Sequence, residues 1–124
     1  MAETVATLLD LQEAVKKFME TRDWNRYHNP KDLAISIAIE SAELLEVFQW
    51  RSESSLKKGG DENLRSRIAE ELADIIIYCA NLANCADLDL GIAVSRKLSI
   101  NETKYPAEKM RDSRKWEDVI QKRG

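Results

Sequence analysis

Residues 29–50 read Asn-Pro-Lys-Asp-Leu-Ala-Ile-Ser-Ile-Ala-Ile-Glu-Ser-Ala-Glu-Leu-Leu-Glu-Val-Phe-Gln-Trp, and the fold turns on this stretch. Asn29 offers a side-chain oxygen to cap a helix. Pro30 suits the first helical position because its missing N–H would have no partner there. From there Leu33, Ile35, Ile37, Ile39, Leu44, Leu45, Val47 and Phe48 nearly encircle a helix axis that runs to about Trp50. A helix apolar almost all round is buried on several sides, so it needs other helices around it.

Working outward, a first helix is expected from about Thr7 to Glu20, with Leu8, Leu11, Ala14, Val15 and Phe18 on its buried stripe. It ends in a polar and aromatic connector, Arg22 to His28. After a loop from Arg51 to Asp61, a third helix is expected from about Glu62 to Ala86, built around Ile68, Leu72, Ile75, Ile76, Cys79, Leu82 and Ala83. A fourth follows from about Leu90 to Lys104 and must stop near Pro106, because proline disfavours a helical predecessor. Residues 107–124 form a charged tail anchored by Trp116, Val119 and Ile120, either a short docked helix or partly disordered. The pattern predicts an all-α antiparallel four-helix bundle, a single domain over residues 1–124 with its core at about 7–105. Phe18 and Phe48 are expected in that core. The second and third helices carry more apolar surface than one stripe needs, which predicts a homo-oligomer.

The chain has 124 residues, enough for one domain, and only four Gly and two Pro to punctuate short strands. Lys+Arg of 19 against Asp+Glu of 22 gives a net charge of -3, which disfavours broad binding to nucleic acid. Cys79 and Cys85 are six residues apart in an apolar stretch, so they fall on different helix faces and are expected as buried free thiols. A zinc site would need ligands that the lone His28 cannot complete. No basic leader precedes an apolar core, and no apolar run approaches membrane-spanning length. A soluble, cytoplasmic protein is expected.

Carboxylates break the pattern. Glu40 and Glu43 interrupt the most apolar helix, and Glu71 and Asp74 interrupt the second most apolar one. Each pair is spaced i, i+3, so its acids leave neighbouring positions of one helix face. One such pair is usually a solvated face; two pairs on the two greasiest helices are harder to expose. Tyr78 falls about 20° from Glu71 in projection and Ser36 about 40° from Glu40, so both acidic faces carry further polar groups. Four gathered anions raise one another's pKa unless cations sit among them, and oxygen-only ligands suit Mg²⁺ or, as a substitute, Mn²⁺. A ferritin-like di-iron site would need Glu-x-x-His on two helices, and the one histidine lies in a connector.

The fourth helix presents Lys97, Asn101, Lys104 and Tyr105 on one face, groups suited to phosphate and sugar oxygens or simply to solvent. Trp24, His28 and Trp50 lie at helix ends, where aromatics either stack on a nucleobase or cap the core.

The chain resembles the MazG-like all-α nucleoside triphosphate pyrophosphohydrolases, and within them the dCTP pyrophosphatase branch. The likeness rests on Arg22-Asp23-Trp24, on Glu40-x-x-Glu43-Leu44 through Phe48-Gln49-Trp50, on Glu71-Leu72-Ala73-Asp74 with Ile76-Ile77-Tyr78, and on Lys97 through Asn101 to Lys104-Tyr105-Pro106. The resemblance implies hydrolysis of a dNTP to the monophosphate and pyrophosphate with Mg²⁺ held by Glu40, Glu43, Glu71 and Asp74. It implies that Trp24 and Trp50 flank the base, that His28 lines the entrance and Tyr78 the pocket, and that Lys97, Asn101, Lys104 and Tyr105 reach phosphates and sugar. It also implies a dimer or a dimer of dimers with sites between subunits, and a role in nucleotide-pool housecleaning.

Three departures stand out. Ile39 occupies a position where many MazG proteins carry a further Glu, Val15 stands where the animal dCTP enzymes carry a base-contacting histidine, and the loop from Arg51 to Asp61 is particular to this chain. The second weakens strict cytosine selectivity and leaves the phosphate chemistry alone. Two other readings stay open at this point: a non-catalytic helical interaction module, and a nucleotide sensor without turnover.

Overall fold

The computed structural model describes residues 4–52 and 61–111. The order is α1 (Leu8–Thr21), a 3₁₀ turn (Asn25–Tyr27), α2 (Pro30–Phe48), α3 (Glu62–Cys85), α4 (Leu90–Lys104) and α5 (Ala107–Met110). The class is all-α, as the sequence predicts. The tail beyond Arg111, with Trp116, Val119 and Ile120, and most of the loop after Ser52 lie outside the described residues.

Helix starts follow local chemistry. Thr7 Oγ1 accepts from Asp10 N at 3.0 Å, Asn29 Oδ1 from Asp32 N at 2.9 Å and Asp61 Oδ1 from Leu64 N at 2.8 Å, each satisfying an amide with no intrahelical partner. The ends of α1 and α3 share one device. Asp23 (φ 53) and Asp87 (φ 56) turn left-handed, so the next residue can bond back: Trp24 N donates to Met19 O at 3.0 Å, and Leu88 N to Ala83 O at 2.8 Å. These are Schellman closures, with aspartate where glycine is commonest. Trp24 owes its position to the first of them.

The described residues form two compact units, divided between Leu90 and Gly91. In the first, α3 packs against both α1 and α2. Val15, Met19 and Ala80 form a core cluster with Leu11 and Leu90 against it, and Leu33, Val47 and Leu64 are also buried. Gln12, only 6% exposed, ties α1 to the end of α3. Its Nε2 donates to Asn84 Oδ1 (3.0 Å) and Leu88 O (2.8 Å), and its Oε1 accepts from Leu90 N (2.8 Å). In the second unit, α4 ends where Tyr105 N donates to Asn101 O at 2.7 Å, and α5 begins after Pro106.

Some expectations are corrected. The second helix stops at Phe48, because Gln49 (ψ 136) and Trp50 (φ 69) leave helical geometry. Cys79 is half-buried and Cys85 is exposed at the last turn of α3, so the thiols are free but not both in the core. Phe18 is 45% exposed and Phe48 half-buried, neither a fully packed core side chain. Ile39, Leu45, Leu72 and Ile76 remain exposed along α2 and α3, the surplus apolar surface that the sequence foreshadows.

Candidate functional site

The packing of α2 on α3 brings acids together. Glu40, Glu43 and Glu71 each offer a carboxylate oxygen within 4.8 Å of the others, although they come from two different helices. Glu40 and Glu71 are half-buried, and one oxygen of each (Oε2) is sealed from solvent with no hydrogen-bond donor among the described residues. None of the four acids is ion-paired to a lysine or arginine among those residues. A buried anionic oxygen without a donor is costly, so the cluster calls for a cation or donor that the described residues do not supply.

Electrostatics bear this out. The Glu40 carboxyl is pushed up to about 7, first by desolvation, then by its hydrogen bond to Glu43, then by the charges of Glu43, Asp74 and Glu71. Glu71 is also raised, first by desolvation and then by the charges of Glu43 and Asp74. Without a cation, the group keeps a proton that ordinary glutamates give up. Its oxygen-only donor set fits a hard divalent cation such as Mg²⁺ or Mn²⁺.

Asp74 stands apart from the trio. It is exposed and acts on Glu40 and Glu71 through its charge. It also lines an adjoining pocket of about 520 Å³, walled by α1, α3 and the connector. The wall includes Val15, Phe18, Trp24, His28 and Tyr78 and is largely apolar, with a size in the range of small-molecule sites. Phe18 meets Trp24 edge to face (centroids 5.8 Å apart, 72° between planes), and the Arg22 guanidinium lies 3.6 Å over the Phe18 ring. Three of the predicted ligands thus converge, with the fourth acid between cluster and pocket.

The remaining predicted residues are placed as follows. Trp24, His28 and Tyr78 share the pocket. Trp50, 93% exposed just beyond α2, is not part of its wall. Lys97, Asn101 and Lys104 lie on α4 and Tyr105 just after it, in the second unit, with Asn101 and Tyr105 half-buried and Lys104 Nζ 5.3 Å from the Tyr105 ring. Sequence reasoning missed Phe18 as a pocket wall and missed Asn81 entirely. Asn81 is 2% exposed, and its Nδ2 lies 3.0 Å from His28 Nδ1. The available signal was an amide set among Cys79, Ala80, Leu82 and Ala83, where only a paired polar group belongs.

An all-helical unit with a carboxylate trio beside an aromatic pocket defines a candidate cation-binding and small-molecule site. Comparison with known proteins then gives the family. The MazG-like family matches residues 35–119, and the chain belongs to it. It is 36% identical over 115 residues to dCTP pyrophosphatase 1 of Homo sapiens, covering 91% of this chain and 68% of that protein. It is 34% identical over 108 residues to dCTP pyrophosphatase 1 of Rattus norvegicus, covering 86% of this chain and 64% of that one. The crystal structure of a pyrophosphatase from Archaeoglobus fulgidus superposes with a TM-score of 0.71 at 39% identity, covering 86% of this chain and 98% of the other. Among the described residues, no single helix is long and apolar enough to cross a membrane.

Proposed function

We propose that the chain is a Mg²⁺-dependent nucleoside triphosphate pyrophosphohydrolase that converts a dNTP, with dCTP favoured, to the dNMP and pyrophosphate. The activity class rests on the family and on relatives named as pyrophosphatases. The observation that carries the reading is the convergence of Glu40, Glu43 and Glu71, two of them with a buried oxygen lacking a donor among the described residues, beside an aromatic pocket that shares Asp74.

Glu40, Glu43, Glu71 and Asp74 would hold the Mg²⁺, with Mn²⁺ as a substitute. Bound there, the metal supplies charge neutralisation for the triphosphate and a water of lowered pKa. The chain's own side chains do the rest. Glu40 or Glu43 takes the proton of the attacking water, and attack at the α or β phosphorus gives the same products. Trp24 and Trp50 flank the base, Trp50 from outside this chain's own pocket wall and so across a subunit contact, while His28 lines the entrance and Tyr78 the interior. Lys97 offsets charge developing on the bridging oxygen, while Asn101, Lys104 and Tyr105 hold phosphate and sugar oxygens. Val15, apolar and in the pocket wall, makes cytosine a preference rather than an absolute requirement.

This function goes with one domain over residues 1–124, an antiparallel four-helix bundle of the MazG-like type. It assembles as a dimer or dimer of dimers that buries the exposed apolar residues of α2 and α3. The setting is cytoplasmic, and the role is nucleotide-pool housecleaning. The test is a panel of dNTPs and NTPs assayed for pyrophosphate with and without Mg²⁺. Metal-dependent release, greatest with dCTP, is expected. Nucleotide-dependent thermal stabilisation without release would leave a sensor, and the absence of both a plain interaction module.

A further inference from the structure

Asn81 lies on α3 with 2% of its surface exposed, and the acid cluster does not use it. Its Nδ2 sits 3.0 Å from His28 Nδ1, across a sequence separation of 53 residues. His28 is held on its main chain as well: its N–H donates to Asn25 O at 3.2 Å, and Asn29 just after it caps α2. No other partner for the ring is present among the described residues. An amide NH₂ can only donate, so Nδ1 must accept, and the ring proton of a neutral His28 resides on Nε2. That leaves a fixed imidazole donor in the wall of a mostly apolar pocket, where a polar group orients what binds.

We propose that Asn81 is a positioning residue for nucleoside recognition: by accepting no proton and donating to Nδ1, it fixes His28 as a hydrogen-bond donor to an acceptor on the bound nucleobase. The proposal rests on the reading of the aromatic pocket as the nucleoside site. It adds a residue and a direction to the contact. Cytosine presents acceptors at O2 and N3, whereas thymine and uracil present a donor at N3, so a donating ring rewards cytosine at that edge.

His28 is the only histidine in the chain, so ¹⁵N-histidine labelling of the full chain reports one imidazole. Spectra near pH 8, where an ordinary imidazole is about fully neutral, should give the Nε2–H tautomer in the wild type. The resonance should shift when dCMP is added with Mg²⁺. Asn81→Asp is nearly isosteric but can only accept, so it should move the proton to Nδ1. It should also raise the Kd for dCMP about five- to tenfold while leaving that for pyrophosphate unchanged. In dCTP hydrolysis the same variant should raise KM with kcat nearly retained. Asn81→Ala, which removes the donor without replacing it, should lose the tautomer preference and fall between the two.

A wild type in the Nδ1–H tautomer overturns the proposal. So does an Asn81→Asp variant that weakens dCMP and pyrophosphate equally, or neither. If dCTP is hydrolysed but indifferent to Asn81→Asp, the proposal alone fails. If His28 keeps Nε2–H while dCMP causes no shift and no pyrophosphate is released, the reading of the pocket fails and takes the proposal with it.

Discussion

Proton and metal should compete at Glu40. Its carboxyl binds a proton with a pKa of about 7 in the metal-free chain, and a ligating carboxylate must be unprotonated. A single site with that pKa is about nine-tenths ionised at pH 8 and only about 3% ionised at pH 5.5. Apparent Mg²⁺ affinity should therefore fall about thirtyfold between those pH values, with a slope approaching tenfold per pH unit below 7. Isothermal titration in buffers of different ionisation enthalpy measures both quantities, and near pH 6 each Mg²⁺ should displace about one proton. Glu40→Gln removes the competing proton along with a ligand. It should bind Mg²⁺ more weakly at pH 8 and lose most of the pH slope. Wild-type affinity that is flat from pH 5.5 to 8, with no proton release, would refute the reasoning.

Other outcomes follow from the same structure. Because Glu40 and Glu71 hold protons more tightly folded than unfolded, their contribution to stability is full below about 4.5 and is lost as pH rises, for Glu40 through about 7. The metal-free melting temperature should thus fall from pH 5 to pH 8, and Mg²⁺ should flatten that decline. Gln12→Leu removes three side-chain hydrogen bonds from a buried site, a loss of about 3 kcal/mol, so thermal unfolding should come about 10–15 °C earlier while the acid cluster stays intact. Trp24→Ala removes a proposed stacking surface worth about 1–3 kcal/mol per base; steady-state kinetics should give a KM raised about tenfold or more with little change in kcat.

Much of this fold is legible in the sequence because the signals are local. Asn29-Pro30 starts α2, and the bounds of α4 follow from Leu90 and Pro106. The end of α2 was not legible, since no Gly or Pro marks the left-handed turn at Trp50. Periodicity puts Phe18 on an apolar stripe, but it cannot tell a packed stripe from the wall of a pocket. For the same reason it cannot tell whether Ile39 and Leu45 are covered within the chain or by another. The i, i+3 spacing puts each pair of acids on one helix face. It did not reveal that Asp74, about 4.5 Å further along the α3 axis than Glu71, would stand beside the trio rather than in it. Asn81 went unseen because its role depends on a histidine from a distant connector.

The central claim is that the acids of α2 and α3 are a cation site. Crystals soaked in Mn²⁺ and measured at the metal's absorption edge address it directly. An anomalous peak about 2.0–2.5 Å from oxygens of Glu40, Glu43 and Glu71 is predicted, lost in Glu43→Ala together with pyrophosphate release. A peak elsewhere, or none in crystals of a chain that still hydrolyses dCTP with Mn²⁺, would contradict the account.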